Sequence, residues 1–211
     1  MGSQRARLNN EIDARKKEVK EAAATLFLTM DYEDITLKLL SERVSISRPS
    51  LYTYYPTKDV LYMEMLKDKY LEWSEKLLKM FPSKKQLSRE DFCKKLAKEI
   101  WNDDLFIRLL SLHQSAMENK CNYEQVEAFK KDVLPYFINF HQVLAEQFPN
   151  TEEDKLNEFA IQYNIYCNTL DGIKNLPQSQ REIMNNLGTF SKIPKGEDIF
   201  YKGLLLLSSD L

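Results

Sequence analysis

Between Ser47 and Lys58 the chain reads SRPSLYTYYPTK, a run in which hydrogen-bonding side chains surround a few apolar ones. Arg48 carries a planar fork of donors that matches the O6 and N7 of a guanine in the major groove. Thr53 offers a hydroxyl and a methyl, suited to a phosphate or to a thymine methyl group. Tyr52 and Tyr54 can reach phosphates on either side, and Lys58 can do so from just beyond the run. The chemistry on offer is base-edge reading flanked by phosphate contact, with no bond made or broken. Catalytic signatures are missing from the sequence: there is no glycine-rich phosphate loop, no nucleophile elbow and no His-Glu-x-x-His. The carboxylates Glu152, Glu153 and Asp154 open a helix, where acids suit the macrodipole without a catalytic role. Two histidines and three scattered cysteines (Cys93, Cys121, Cys167) lack metal-ligand spacing, so no metal site and no cofactor is expected, and free thiols are expected over disulfides.

Short helices must hold these side chains. Thr36 is placed to cap a helix in which Leu37, Leu40 and Val44 share one face. Ser45-Ile46 is too short for anything but a corner, with Ile46 as its apolar plug. Ser47 is a second N-cap, and Pro49 sits in the first helical turn, where a missing N–H costs nothing. Leu51 and Tyr55 then turn inward, which leaves Pro49, Ser50 and Thr53 facing out and Tyr52 at the margin. Pro56 ends that helix and Thr57 caps the next. Two helices around a corner make a helix-turn-helix.

On either side the chain reads as helices. Val19, Ala22, Ala23, Leu26, Phe27 and Met30 form one stripe of a helix from about Ile12 to Met30. Leu61, Met65, Leu66, Tyr70, Trp73, Leu77 and Phe81 form the buried side of another from Lys58 to about Phe81, over 30 Å long at ~1.5 Å per residue. Ser88 with Asp91 marks a helix through Trp101, and Asp103 or Asp104 one to about Lys120. Asn122 opens a longer helix with Val126, Phe129, Val133, Phe137, Phe140, Leu144 and Phe148 as its stripe and Pro135 inside it. Thr151 with Asp154 opens a helix to about Asn175. After Pro177 a short helix spans 179–186, Gly188 and Pro194 are breaks, and the last helix runs from Gly196 to Ser208.

Five glycines and seven prolines in 211 residues agree with an all-α chain. No apolar run approaches the ~20 residues of a membrane span, so a soluble, cytoplasmic protein is expected. Net charge is −2. Residues 1–20 nonetheless carry six basic side chains (Arg5, Arg7, Arg15, Lys16, Lys17, Lys20) against three acidic ones, a balance of +3 that suits either phosphate contact or plain solvation.

From about Arg15 to Tyr62 the chain resembles the tetracycline-repressor (TetR) family of bacterial regulators. The resemblance is carried by Ala22-Ala23, Leu26-Phe27, Tyr32, Thr36, Arg43, Ile46-Ser47, Leu51-Tyr52 and Lys58-Asp59 through Leu61. Asp31, Leu40-Ser41 and Ser45 depart from the pattern; Ser45 stands where the family has its corner glycine, which implies local strain or a different turn. Farther on, Arg108-Leu109-Leu110, Met117-Glu118-Asn119 and Phe129-Lys130 are similar to a subset of that family. The resemblance implies an N-terminal helix-turn-helix DNA-binding domain (residues 1–57) and a C-terminal helical ligand-binding and dimerisation domain (58–211). It implies DNA contacts at Thr36, Lys38, Ser47, Arg48, Pro49, Ser50, Tyr52, Thr53, Tyr54 and Lys58.

Pocket and interface residues follow from aromatic and apolar placement. Trp73, Leu77, Trp101, Phe106, Phe137, Phe140, Tyr163 and Tyr166 could line a pocket, with His113, His141, Met117 and Asn164 as further wall or polar points; taken singly, each suits plain core or surface better. Phe159, Tyr163, Tyr166 and Leu170, with Ile161 and Ile165 beside them, and Leu204, Leu205 and Leu207 are apolar on more faces than one chain covers. A homodimer interface would cover them. The expectation is a regulator, a repressor released from a palindromic double-stranded operator by a small, largely apolar effector. The competing class is a helical ligand-binding or protein-interaction module whose helix-turn-helix no longer reads DNA; an all-helical enzyme is a third.

Overall fold

The computed structural model describes residues 2–187 and 195–211, with side chains from Asn10 onward. Gly188 and Pro194, and the side chains of Arg5 and Arg7, lie outside the described residues. All regular structure among the described residues is helical. The order is α1 (Gly2–Thr29), α2 (Leu37–Ser41), α3 (Arg48–Tyr54), α4 (Lys58–Met80), α5 (Arg89–Trp101), α6 (Asp104–Leu112), α7 (Tyr123–Gln147), α8 (Glu153–Cys167), α9 (Leu170–Lys174), α10 (Gln178–Asn186) and α11 (Gly196–Leu207).

Local capping chemistry sets most starts. Thr36, Ser47, Thr57, Ser88 and Asp103 each accept a backbone N–H with the side chain. Asn122 and Gln125 form a reciprocal capping box. Each cap is worth about 1 kcal/mol. Glu152, not Thr151, stands at the start of α8, and no side chain caps it.

Three α-helices and the first turns of a fourth enclose the N-terminal core. Phe27 lies 4.8 Å from Tyr62 and 5.9 Å from Tyr32, ring centre to ring centre. The Tyr62 hydroxyl donates to the Ala23 carbonyl (3.0 Å), and the Tyr32 hydroxyl to buried Asp59 (2.6 Å). Tyr62 and Asp59 belong to α4, so that helix completes this core before running on into the bundle. There α4 packs mainly along α7, and α11 lies on α5.

Four expectations need correction. Helix α1 starts at Gly2, ten residues before Ile12. The segment after α6 keeps coiling to Lys120 but changes pitch, first as a π-helical turn over His113–Met117 and then as a 3-10 turn over Glu118–Lys120. On α7 the buried row is Phe129, Val133, Tyr136, Phe140, Val143, Leu144 and Gln147, while Phe137 is 40% exposed. The row alternates steps of three and four, as a 3.6-residue period requires, so a run of fours drifts off the face. Helix α8 stops at Cys167, and α9 is a separate short helix reaching only Lys174.

Candidate DNA-reading surface and ligand cavity

The exposed face of α3 carries Arg48, Pro49, Tyr52 and Thr53, with Ser50 and Tyr54 half-buried beside them. Leu51 and Tyr55 are fully buried beneath. The Arg48 guanidinium lies over the Tyr52 ring, 5.6 Å from its centre, and both side chains are exposed. The Thr53 hydroxyl donates back to the Pro49 carbonyl at 3.0 Å. Thr36 and Ser47 use lone pairs to accept Leu39 N–H (3.1 Å) and Ser50 N–H (3.3 Å). A capping hydroxyl still has its own proton, which Thr36 can donate to a phosphate oxygen. Lys38 is exposed on α2.

The corner between α2 and α3 is held from outside by α1. Both the backbone N–H and the hydroxyl of Ser45 donate to the Glu18 carboxylate, at 2.5 and 2.7 Å. These two bonds hold the Glu18 carboxyl below the usual carboxylate range, the hydroxyl bond contributing most. A carboxylate from α1 thus anchors the corner at the position where the family resemblance led one to expect a glycine.

Lys58 is less free than its sequence position implies. Its ammonium donates to the carbonyls of Tyr32 (2.5 Å) and Glu33 (3.3 Å) and lies 4.3 Å from the centre of the Tyr32 ring. Burial pushes it below the usual lysine range, against the pull of the Glu33 carboxylate. Two basic side chains of the arm are similarly committed: Lys20 pairs with Glu64 (2.7 Å) and Asp68 (2.5 Å), and Lys16 lies 3.7 Å from Glu64. These pairs line a groove of about 540 Å³ between α1 and α4. Its charges satisfy one another, which makes it a solvated seam and not a ligand site.

A second hollow, of about 400 Å³, opens between α4, α7, α8 and the π-helical turn. Tyr70, Phe129, Val133, Phe137, Phe140, Ala160, Ile161 and Ile165 form its apolar wall, and His113, Gln114, Lys130, His141, Asn157, Asn164 and Asn168 its polar points. Of the pocket residues expected from sequence, His113, Phe137 and Phe140 line it. His141 and Asn164, named there as polar points, line it too. Trp73, Leu77, Phe106, Met117 and Tyr163 are instead buried in the core, none more than 3% exposed. Trp101 and Tyr166 lie on the far side of α8, against α11: Tyr166 stacks 4.9 Å from Phe200 and donates to the Ile199 carbonyl, and only the missing side chain of Gly203 lets its ring approach so closely. Sequence reasoning missed Tyr70, Val133, Asn157 and Asn168 as lining. Asn157, Asn164 and Asn168 recur at helical spacing along one flank, a polar row that periodicity could have flagged.

The interface residues expected from sequence need a similar correction. Phe159, Tyr163, Leu170 and Leu204 are at most 1% exposed within the protomer, so its own core consumes them. Tyr166, Leu205 and Leu207 are half-buried. On α8 and α11 the large apolar residues left exposed are Ile161 (61%) and Ile165 (62%), which also line the hollow, and Leu206 (77%).

Two contacts tie the hollow's surroundings to the DNA-reading unit. Arg108 of α6 donates to the Met30 carbonyl at the end of α1 (2.8 Å) and lies 5.2 Å from the centre of the Phe27 ring. Lys120, closing the segment that begins at His113, pairs with Glu33 at 3.2 Å and lies 5.6 Å from the centre of the Tyr32 ring.

Comparison with known proteins places this geometry. Residues 20–65 match the profile of "Bacterial regulatory proteins, tetR family", and residues 67–191 match that of "Tetracyclin repressor-like, C-terminal domain". By sequence, no curated protein matches. Among solved structures, the chain is similar to the transcriptional regulator FadR from Bacillus subtilis, solved in complex with stearoyl-CoA (12% identity, TM-score 0.57, covering 92% of this chain and 98% of that one). It is similar also to a TetR transcriptional regulator from Rhodococcus sp. RHA1 (17% identity, TM-score 0.52, covering 95% and 99%). At these identities the two structures speak for the fold, and the two profiles together span most of the chain. The chain belongs to the tetracycline-repressor family of DNA-binding transcriptional regulators.

Proposed function

We propose that this regulator works in the cytoplasm as a homodimeric repressor on a two-fold symmetric operator, and that a small, largely apolar effector in the hollow between α4, α7 and α8 releases it. The observation that carries the reading is the continuity of α4. Its first turns complete the core beneath α3, and Tyr70, three turns on, forms part of the wall of the hollow. The division between the DNA-reading and effector-binding units accordingly falls inside this helix, not before it. An effector pressing on Tyr70 bears on a rigid rod whose other end carries the reading surface. The Arg108–Met30 and Lys120–Glu33 contacts supply a second connection. The effector shifts the balance only by its preference for a conformation in which α4 is tilted and the reading helices no longer match the operator.

On DNA, Arg48 reads a guanine edge, and Thr53 meets a thymine methyl or a phosphate. Thr36, Lys38, Ser47, Pro49, Ser50, Tyr52 and Tyr54 meet the backbone around the groove. Lys58 joins them by exchanging its carbonyl partners for a phosphate oxygen. The outward face of α8, with Ile161 and Ile165, and Leu206 of α11 form the dimer contact.

The stearoyl-CoA in the Bacillus subtilis structure is a poor guide to the effector here. Its phosphates need basic partners, and the one lysine on this hollow, Lys130, already pairs with Glu118 at 2.5 Å. A salt titration on a duplex recovered by selection tests the reading. Specific binding should weaken steeply as counterion release predicts. Binding that ignores both sequence and salt would leave the helix-turn-helix without a DNA role.

A further inference from the structure

We infer that the hollow takes a neutral aromatic molecule bearing a hydroxyl, such as a phenol or aryl alcohol, and that His113 and His141 recognise that hydroxyl. The inference rests on the effector reading above and adds to it the ligand's chemistry. His113 is 95% buried, and neither of its ring nitrogens has a hydrogen-bond partner; Nε2 of His141 is likewise buried and bare. Both residues line the hollow. Of the other polar groups around it, Gln114, Asn157 and Asn168 are neutral amides, and Asn164 and Lys130 are occupied. The Asn164 side chain accepts from the Tyr136 hydroxyl (2.9 Å) and donates to the Ala160 carbonyl (2.7 Å). Lys130 is held by Glu118, whose other oxygen lies 3.7 Å from His113 Nε2.

The wall therefore offers imidazoles that can donate or accept, and its one lysine is already neutralised. A carboxylate placed here would lose its water without gaining a free cation, whereas a neutral hydroxyl finds its complement. Burial pushes the His113 imidazole toward its neutral form, with Lys130 acting the same way and Glu118 opposing. The π-helical turn over His113–Met117 carries the first of these rings on its opening residue, and such turns are concentrated at functional sites. Aromatic rings at Phe129 and Phe137 in the wall suit a flat guest, and a volume of about 400 Å³ lies at the small end of ligand pockets.

The chain has two histidines, so a ring-labelled sample of the full-length protein gives two imidazole signals, assignable by His141→Phe. Titrate it with p-cresol and with p-toluate, a neutral and an anionic molecule of nearly the same shape, and measure affinity by calorimetry. p-Cresol should move both signals saturably, and p-toluate should bind at least tenfold more weakly. His113→Phe and His141→Phe should each lose about tenfold in p-cresol affinity, with melting curves reported beside them. Equal or tighter binding of p-toluate overturns the inference, as does p-cresol leaving both signals unmoved because the imidazoles are merely solvated. If His113→Phe fails to fold, undiminished p-cresol binding by His141→Phe overturns it. In any of these cases, a parent that still binds its selected operator shows that the ligand chemistry failed and the regulator reading did not.

Discussion

Replacing Ile161 and Ile165 with aspartate should separate the dimer while sparing the protomer. Both side chains are about 60% exposed in the single chain, so the protomer's core loses little by the change. Fully burying an isoleucine is worth about 1.5–3 kcal/mol, so covering the exposed part of each contributes about 1–2 kcal/mol. A two-fold interface uses each residue twice, giving about 4–8 kcal/mol in all. At 1.4 kcal/mol per tenfold that is three or more orders of magnitude in dimer affinity. The introduced carboxylates would add repulsion and desolvation on top. Sedimentation velocity reads the assembly state directly, and thermal melting of the same sample reads the fold. The double variant should sediment as a monomer, and operator affinity should collapse because each half-site supplies only part of the contact energy. A double variant that melts like the parent and still sediments as a dimer would refute this placement of the interface.

Further consequences concern the reading surface, its corner and the core. Arg48→Ala should cost about 1–3 kcal/mol at one base position and relax preference there, as measured by competition against single-base operator variants; Lys38→Ala should instead weaken all sequences alike and flatten the salt dependence. Met117, fully buried and away from the hollow, is core, so Met117→Trp should destabilise the fold by about 1–3 kcal/mol in a thermal or urea melt. The Glu18 clamp on Ser45 depends on the ionised carboxylate. Because its folded pKa is depressed, the contribution is complete above the ordinary carboxylate value, near 4.3, and disappears as pH falls through the lower folded value. Amide exchange at Ser45 should therefore be slower in the parent than in Glu18→Gln at pH 6, with the difference closing in acid.

What the sequence made legible was local. The caps at Thr36, Ser47, Thr57, Ser88, Asp103 and Asn122 depend on a side chain and a backbone N–H within one turn, so residue type and position suffice. The inward set on α4 was legible for the same reason, since 23 residues give the period room to declare itself. Errors came where a single residue's rotation, or another element, decides the outcome. On α11, where Leu204, Leu205 and Leu207 were expected to face a partner, Leu204 is buried in the protomer, Leu205 and Leu207 are half-buried and Leu206 is exposed; successive positions differ by about 100° of helical turn. On α8 the apolar surplus is real, but periodicity cannot tell which of two apolar faces meets the protomer's own core and which a partner. Phe159 and Tyr163 meet the protomer's own core, and Ile161 and Ile165 are left exposed on the face proposed for a partner. The exposed row on α3 stood in the sequence almost whole, because it hangs on one capped helix. The hollow did not, because Tyr70, His113, Phe140 and Asn164 come from four segments that only packing brings together. Nor does anything in His113–Met117 announce a π-helical turn, and the Glu18–Ser45 clamp joins positions 27 apart in the chain.

Selection of bound duplexes from a random DNA pool, using the full-length protein, puts the central claim to the most direct test. The account predicts a palindrome whose half-sites lie about 34–36 Å apart, or a related multiple, so that two α3 helices meet successive major grooves. It further predicts a guanine in each half-site whose enrichment vanishes for Arg48→Ala. A pool that emerges unenriched, or enriched for a sequence without two-fold symmetry, would contradict it.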